Sequence, residues 1–115
     1  MSIIVKGENM QKMVSDFMFK YKLQNNGEIR YIDLVSEVGE LGKEIIQGSN
    51  YGKNCYAKTK RTQDEIGDCL FSLFALCCSL DINAEEALKN SMLKYEKRFE
   101  EKGDICSHIY KNNMD

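Results

Sequence analysis

The run TQDEIGDCLFSLFALCCSL, residues 62–80, decides the fold. Beyond its polar start it is apolar over most of a helical circumference: Ile66, Cys69, Leu70, Phe71, Leu73, Phe74, Ala75, Leu76, Cys77 and Leu80. A helix that is hydrophobic nearly all round belongs at the centre of a fold rather than on its surface. The pattern predicts a buried helix over about residues 61–80, with Glu65 and Asp68 near its start. Buried carboxylates must be paired, protonated or metal-bound, and the nearby helix N-terminus favours their ionised form.

Outward from this run, three further helices are expected. Met10, Met13, Val14, Phe17, Met18 and Tyr21 recur at three- and four-residue steps, predicting an amphipathic helix over about 8–24 that closes at Asn25-Asn26-Gly27. A second helix, about 30–47, has Gly48 as its C-terminal stop. Its Gly39 and Gly42 each cost roughly 1 kcal/mol against alanine, which suggests close approach of a neighbouring backbone or a ligand. The last helix opens on a capping-box pattern, Asn83-x-x-Glu86, and runs to about Lys102 before Gly103. Between the second and third helices, GSNYGKNCYAKTK (48–60) has no period and no acid but carries Lys53, Lys58 and Lys60, and reads as a mobile basic loop.

Composition agrees with helices joined by short turns. The 115 residues contain no proline and only 8 glycines. The fold class expected is all-α, a four-helix bundle: one domain over 1–115, with its core at about 8–102 and a fraying tail over 103–115. A formal net charge of -2 offers no basic field for nucleic acid or anionic membrane. No stretch approaches the roughly 18 apolar residues of a membrane span. The start MSIIVKGENM lacks the pattern of a secretory signal, so a cytoplasmic location is expected. The five cysteines then read as reduced thiols serving mostly as packing.

The chemistry lies in two acidic pairs, Glu37-x-x-Glu40 and Glu65-x-x-Asp68. Residues three apart on a helix share a face. At 100° per residue, Asp33, Glu37, Glu40 and Glu44 fall within about a 60° arc, apart from the apolar sector of their helix. One such pair is commonly just solvated, whereas a second on a buried helix points to a site. Four converging carboxylates resist ionising together unless a cation sits among them, and oxygen-only ligands suit Mg²⁺ or Mn²⁺. A di-iron bundle would need Glu-x-x-His motifs, and the sole histidine, His108, lies in the tail. Lys94 and Arg98, four apart on the last helix, share a flank that reads by itself as a solvated basic face.

In this order the motifs resemble those of the all-α nucleoside triphosphate pyrophosphohydrolases, the MazG-like group related to dimeric dUTPases. Val35-Ser-Glu-Val-Gly-Glu-Leu-Gly is similar to the family's first motif and Asp64-Glu-Ile-Gly-Asp-Cys-Leu-Phe-Ser-Leu to its second. The run beginning Leu80-Asp-Ile-Asn resembles its link into the last helix, and Lys94-Tyr-Glu-Lys-Arg98 its basic element. The likeness covers about residues 30–99; Ser36 departs from it, standing where many members carry an acid, which bears on the number of metal ions.

The resemblance implies Mg²⁺-dependent hydrolysis of a nucleoside triphosphate, often a deoxynucleotide, to the monophosphate and pyrophosphate. Glu37, Glu40, Glu65 and Asp68 would hold the metal, with Mn²⁺ as the other suitable ion. Glu37 or Glu40 would take a proton from water, and Lys94 and Arg98 would meet the phosphates. It also implies a homodimer or homotetramer. Tyr51 and Tyr56, or Phe17 and Tyr21, are the aromatic candidates for stacking on a base. Other readings are a non-catalytic nucleotide- or partner-binding module and a phosphohydrolase of another nucleotide derivative.

Overall fold

The structure, a computed structural model, describes residues 9–103. The expected fraying tail beyond Gly103, with Cys106 and His108, lies outside the described residues. Four helices make up the described chain, with no strand among the described residues: α1 (Met10–Lys20), α2 (Gly27–Gly48), α3 (Lys60–Ser79) and α4 (Ala84–Lys102). The fold is all-α, as expected. It divides into a unit ending at Ile82, which contains α1 to α3, and a unit beginning at Asn83, which contains α4.

The helix ends follow from side-chain and backbone capping. The Asn9, Asn26 and Asn83 side chains accept from backbone N–H groups in the first turns of α1, α2 and α4. Thr59 and Thr62 form a reciprocal capping box at the start of α3. Such caps satisfy donors that have no partner within the helix. Three helices end on a non-glycine residue with positive φ: Lys22 after α1, Asn50 after α2 and Asp81 after α3. Each is followed by an N–H that reaches back to the carbonyl five residues before it, at Met18, Ile46 and Cys77. This paired closure is the Schellman motif, usually built on glycine. It ends α1 at Lys20 rather than at about residue 24, and it places the stop of α2 at Asn50 rather than Gly48.

Gly48 has a different reason to be glycine. A Cβ there would overlap the ring of Tyr56, which lies against the last turn of α2. The connection after α2, read above as a mobile basic loop over 48–60, carries local hydrogen bonds of its own. Buried Ser49 accepts from Gly52 N–H at 3.1 Å, and Tyr56 is hydrogen-bonded at the α3 end. By contrast, no atom lies within 4 Å of where a Cβ would stand at Gly39 or Gly42, so the close approach expected there is not found among the described residues.

Within the first unit, α3 packs against both α2 and α1. Gln11 Nε2 donates to Ile82 O at 2.7 Å and Ser79 Oγ to Asn25 O at 2.9 Å, tying the start of α1 and the α1–α2 connection to the C-terminal end of α3. Among the described residues Met18 and Ala75 are the buried apolar ones, accompanied by buried Ser49, Thr62 and Ser72. Helix α3 is thus central but only half covered. Ile66, Leu70 and Leu73, which recur along one stripe, remain 44–46% exposed. The expectation of burial all round fails because α1 and α2 reach only one side of α3. Similarly, Cys55 is exposed, while Cys69, Cys77 and Cys78 are half-buried free thiols. Among the described residues the second unit holds one helix, α4, closed by Gly103 at φ 81° with its N–H on Phe99 O at 2.8 Å.

Candidate metal centre

Helices α2 and α3 run antiparallel. Glu44, late in α2, meets the first turn of α3, while Glu37, two turns earlier, meets the following turns. This arrangement brings Glu37, Glu65 and Asp68 together, each offering one carboxylate oxygen within 4.8 Å of the other two. Glu37 and Glu65 are half-buried and Asp68 is exposed. The Glu37 carboxyl is held above the usual range for a glutamate, first by partial burial and then by the charges of Asp68, Glu65, Glu40 and Asp33. Beside it the Cys69 thiol is also pushed up, by burial and then by Glu37, Asp68 and Glu65. Like charges crowded this closely favour anything that brings in positive charge, whether a proton or a cation. Three oxygen donors converging from two helices fit a hard divalent ion.

The remaining acids of the α2 face divide differently. Glu40 is exposed and stands outside this group of three, though near enough to raise Glu37. Asp33 lies 3.7 Å from Arg30, and Glu44 lies 3.3 Å from Arg61. Of the loop lysines, Lys58 and Lys60 line a cavity of about 470 Å³ together with Thr59, Thr62, Gln63 and Ile66. Lys60 lies 3.7 Å from Asp64, which is not one of the three acids. Lys94 and Arg98 lie one turn apart on α4 in the second unit, with Lys94 Nζ 5.2 Å from the ring of Tyr95.

Asp68 also forms the polar edge of an apolar cavity of about 440 Å³, lined by Met13, Val14, Phe17 and Phe71. Phe17 meets Phe71 edge-on with ring centroids 5.8 Å apart, and Tyr21 at 4.8 Å. Of the four aromatic candidates, Phe17 is the one that lines this cavity; Tyr56 is instead fixed against α2, and Tyr51 is 74% exposed. Sequence reasoning missed Phe71, Met13 and Val14 as cavity residues. Phe71 stands three residues after Asp68 and so shares its flank, a signal obscured because the whole run is apolar.

Residues 28–104 match the family described as the MazG nucleotide pyrophosphohydrolase domain, a span that holds both acidic pairs. The chain belongs to this family. It is 41% identical over 68 residues to YpjD of Bacillus subtilis (strain 168), whose name leaves its function uncharacterized. That match takes in 56% of this chain and 60% of YpjD, so the chain spans under two thirds of the relative's length. A crystal structure of YpjD, described as a candidate pyrophosphatase, superposes with a TM-score of 0.65 at 33% identity, covering 85% of this chain and 99% of that one. The all-α MazG-type fold is therefore that of this chain, and membership supports nucleotide pyrophosphate hydrolysis as its general activity.

Proposed function

We propose that the protein hydrolyses a nucleoside triphosphate, of a deoxy or non-standard kind, to the monophosphate and pyrophosphate with Mg²⁺, or with Mn²⁺ in its place. The observation that carries this reading is the meeting of Glu37, Glu65 and Asp68 within 4.8 Å, since it joins the two acidic motifs of a pyrophosphohydrolase family at one point. These three would hold the ion, which when bound offsets phosphate charge and lowers the pKa of a coordinated water. Glu40, outside the ligand group and one turn from Glu37, is left to accept the proton of the attacking water. Lys94 and Arg98 donate to phosphate oxygens, Arg98 in bidentate fashion.

The apolar cavity beside Asp68 takes the base, which stacks on Phe17 with Met13, Val14 and Phe71 around it. Stacking needs only a π-face, so this lining favours acceptance of several bases over readout of one. A second copy of the chain covers the apolar stripe Ile66, Leu70 and Leu73 in a homodimer or homotetramer. Among the described residues no helix is long and apolar enough to cross a membrane, consistent with the cytoplasm as the working compartment.

The test is a panel of natural, deoxy and damaged triphosphates, assayed with Mg²⁺ for pyrophosphate and for orthophosphate. Pyrophosphate is the expected product. Orthophosphate would mean a different cut, and no product at all a binding module. Phe17→Ala should weaken kcat/KM by about 1–3 kcal/mol, the worth of one base–aromatic stack. Light scattering checks the oligomer, and a monomer at micromolar concentration would refute that part.

A further inference from the structure

Three carboxylates facing each other across α2 and α3 push the two helices apart, and something must hold those helices while no cation is bound. The next rung of the helix pair supplies a set of donors with no part in the chemistry described above. Glu44 follows Glu37 by two turns, about 10 Å along α2, and Thr62 precedes Glu65 by one turn of α3. Tyr56 Oη donates to Glu44 Oε1 at 3.3 Å and is also hydrogen-bonded to Thr62 Oγ1. Thr59 Oγ1 donates to the same Glu44 oxygen at 3.5 Å, and Arg61 Nε lies 3.3 Å from Glu44 Oε2. Thr62 is only 7% exposed, and the Glu44 side chain 17%. Tyr56 reaches this position because Gly48 has no side chain beneath its ring.

We propose that Tyr56, bridging Glu44 of α2 to Thr62 of α3, is a positioning residue that sets the separation of Glu37 from Glu65 and Asp68 and so the affinity of the metal centre. This rests on the reading of those acids as metal ligands. Tyr56 spans the joint between the helices: its ring is seated on the end of one and its hydroxyl on the first turn of the other. Without the hydroxyl, the buried Thr62 loses a partner, and repulsion among the acids is opposed by fewer contacts. The acids then sit farther apart on average, and binding an ion must first draw them together.

The experiment titrates Mn²⁺ into substrate-free protein by electron paramagnetic resonance, alongside kinetics at saturating Mg²⁺. Tyr56→Phe keeps the ring over Gly48 and removes only the hydroxyl. It is expected to weaken Mn²⁺ binding by about three- to tenfold, at or below the usual cost of losing an outer partner of a metal ligand. Activity should return toward wild type as Mg²⁺ is raised, with KM for the nucleotide little changed. Thr62→Val, which removes the other hydroxyl of the bridge, should weaken Mn²⁺ binding in the same way, and it decides the matter if Tyr56→Phe does not fold. A Tyr56→Phe protein with a lower melting temperature but wild-type Mn²⁺ affinity would overturn the proposal, leaving a purely structural role. So would wild-type binding in Thr62→Val. Asp68→Asn separates this from the reading beneath it: if Asp68→Asn binds Mn²⁺ like wild type, the metal centre itself is wrong and the proposal falls with it.

Discussion

Replacing Glu37 by glutamine should make the metal-free protein more stable, and the size of the gain follows from the geometry. Two unit charges 4.8 Å apart repel by about 0.9 kcal/mol at the dielectric of water and about 3.5 kcal/mol at an effective value of 20. Asp68 is exposed and Glu37 half-buried, so screening keeps each pair near the lower figure. Relief of two such repulsions amounts to about 1–2 kcal/mol, or roughly 4–10 °C in melting temperature for a domain of this size. The sign with pH is fixed by the raised Glu37 carboxyl. A group that titrates higher in the fold than in the unfolded chain contributes stability that is present below the unfolded value and lost as pH rises through the folded one. The gap between Glu37→Gln and wild type should therefore be absent in acid and open across that interval. Thermal melts in EDTA at low salt, from pH 4 to 8, measure it. Millimolar Mg²⁺ should then stabilise wild type and not the variant, by about 1.4 kcal/mol at ten times the dissociation constant. A variant that melts at or below wild type in EDTA at pH 7 would refute the argument that these acids repel one another in the folded state.

Further outcomes are expected at other positions. Asp68→Asn should lose both Mn²⁺ binding and turnover, whereas Glu40→Gln should lose turnover with Mn²⁺ binding largely kept; equal loss of binding in both would place Glu40 among the ligands. Arg98→Ala should cost about 2–4 kcal/mol in transition-state stabilisation with little change in metal affinity, and an unaltered kcat/KM would return Lys94 and Arg98 to a plain basic flank. Gly48→Ala should destabilise the fold by about 1–3 kcal/mol by displacing the Tyr56 ring, as chemical denaturation would register. A neutral result there would mean the loop repacks freely.

Helix number and type were legible from periodicity, because each helix is long enough to show several turns of its apolar pattern. The ends were less so. Lys22, Asn50 and Asp81 close their helices in a conformation usually assigned to glycine, and the preference is statistical where the hydrogen bonds are specific. Thr59 and Thr62 cap α3 where Asn83-x-x-Glu86 was the pattern sought elsewhere, since a hydroxyl serves as well at either end of a box. The site was half legible. Glu65 and Asp68 stood out on an apolar run, but four acids shared one face of α2, and spacing alone cannot rank them.

What the sequence by itself determined is an all-α chain with two acidic pairs on facing helices, because helical period is a local property written every three or four residues. Only the tertiary structure assigned the acids of α2, through the antiparallel register of α2 against α3. That register places Glu37 opposite Glu65 and Asp68, gives Glu44 to Arg61, and leaves Glu40 outside the group of three. The packing of α1 against α3 opened the apolar cavity beside Asp68, and the course of the α2–α3 connection put Tyr56 on Gly48. Such pairings depend on how one helix slides along another, a freedom that no local spacing constrains and that is removed only when side chains from both helices pack together.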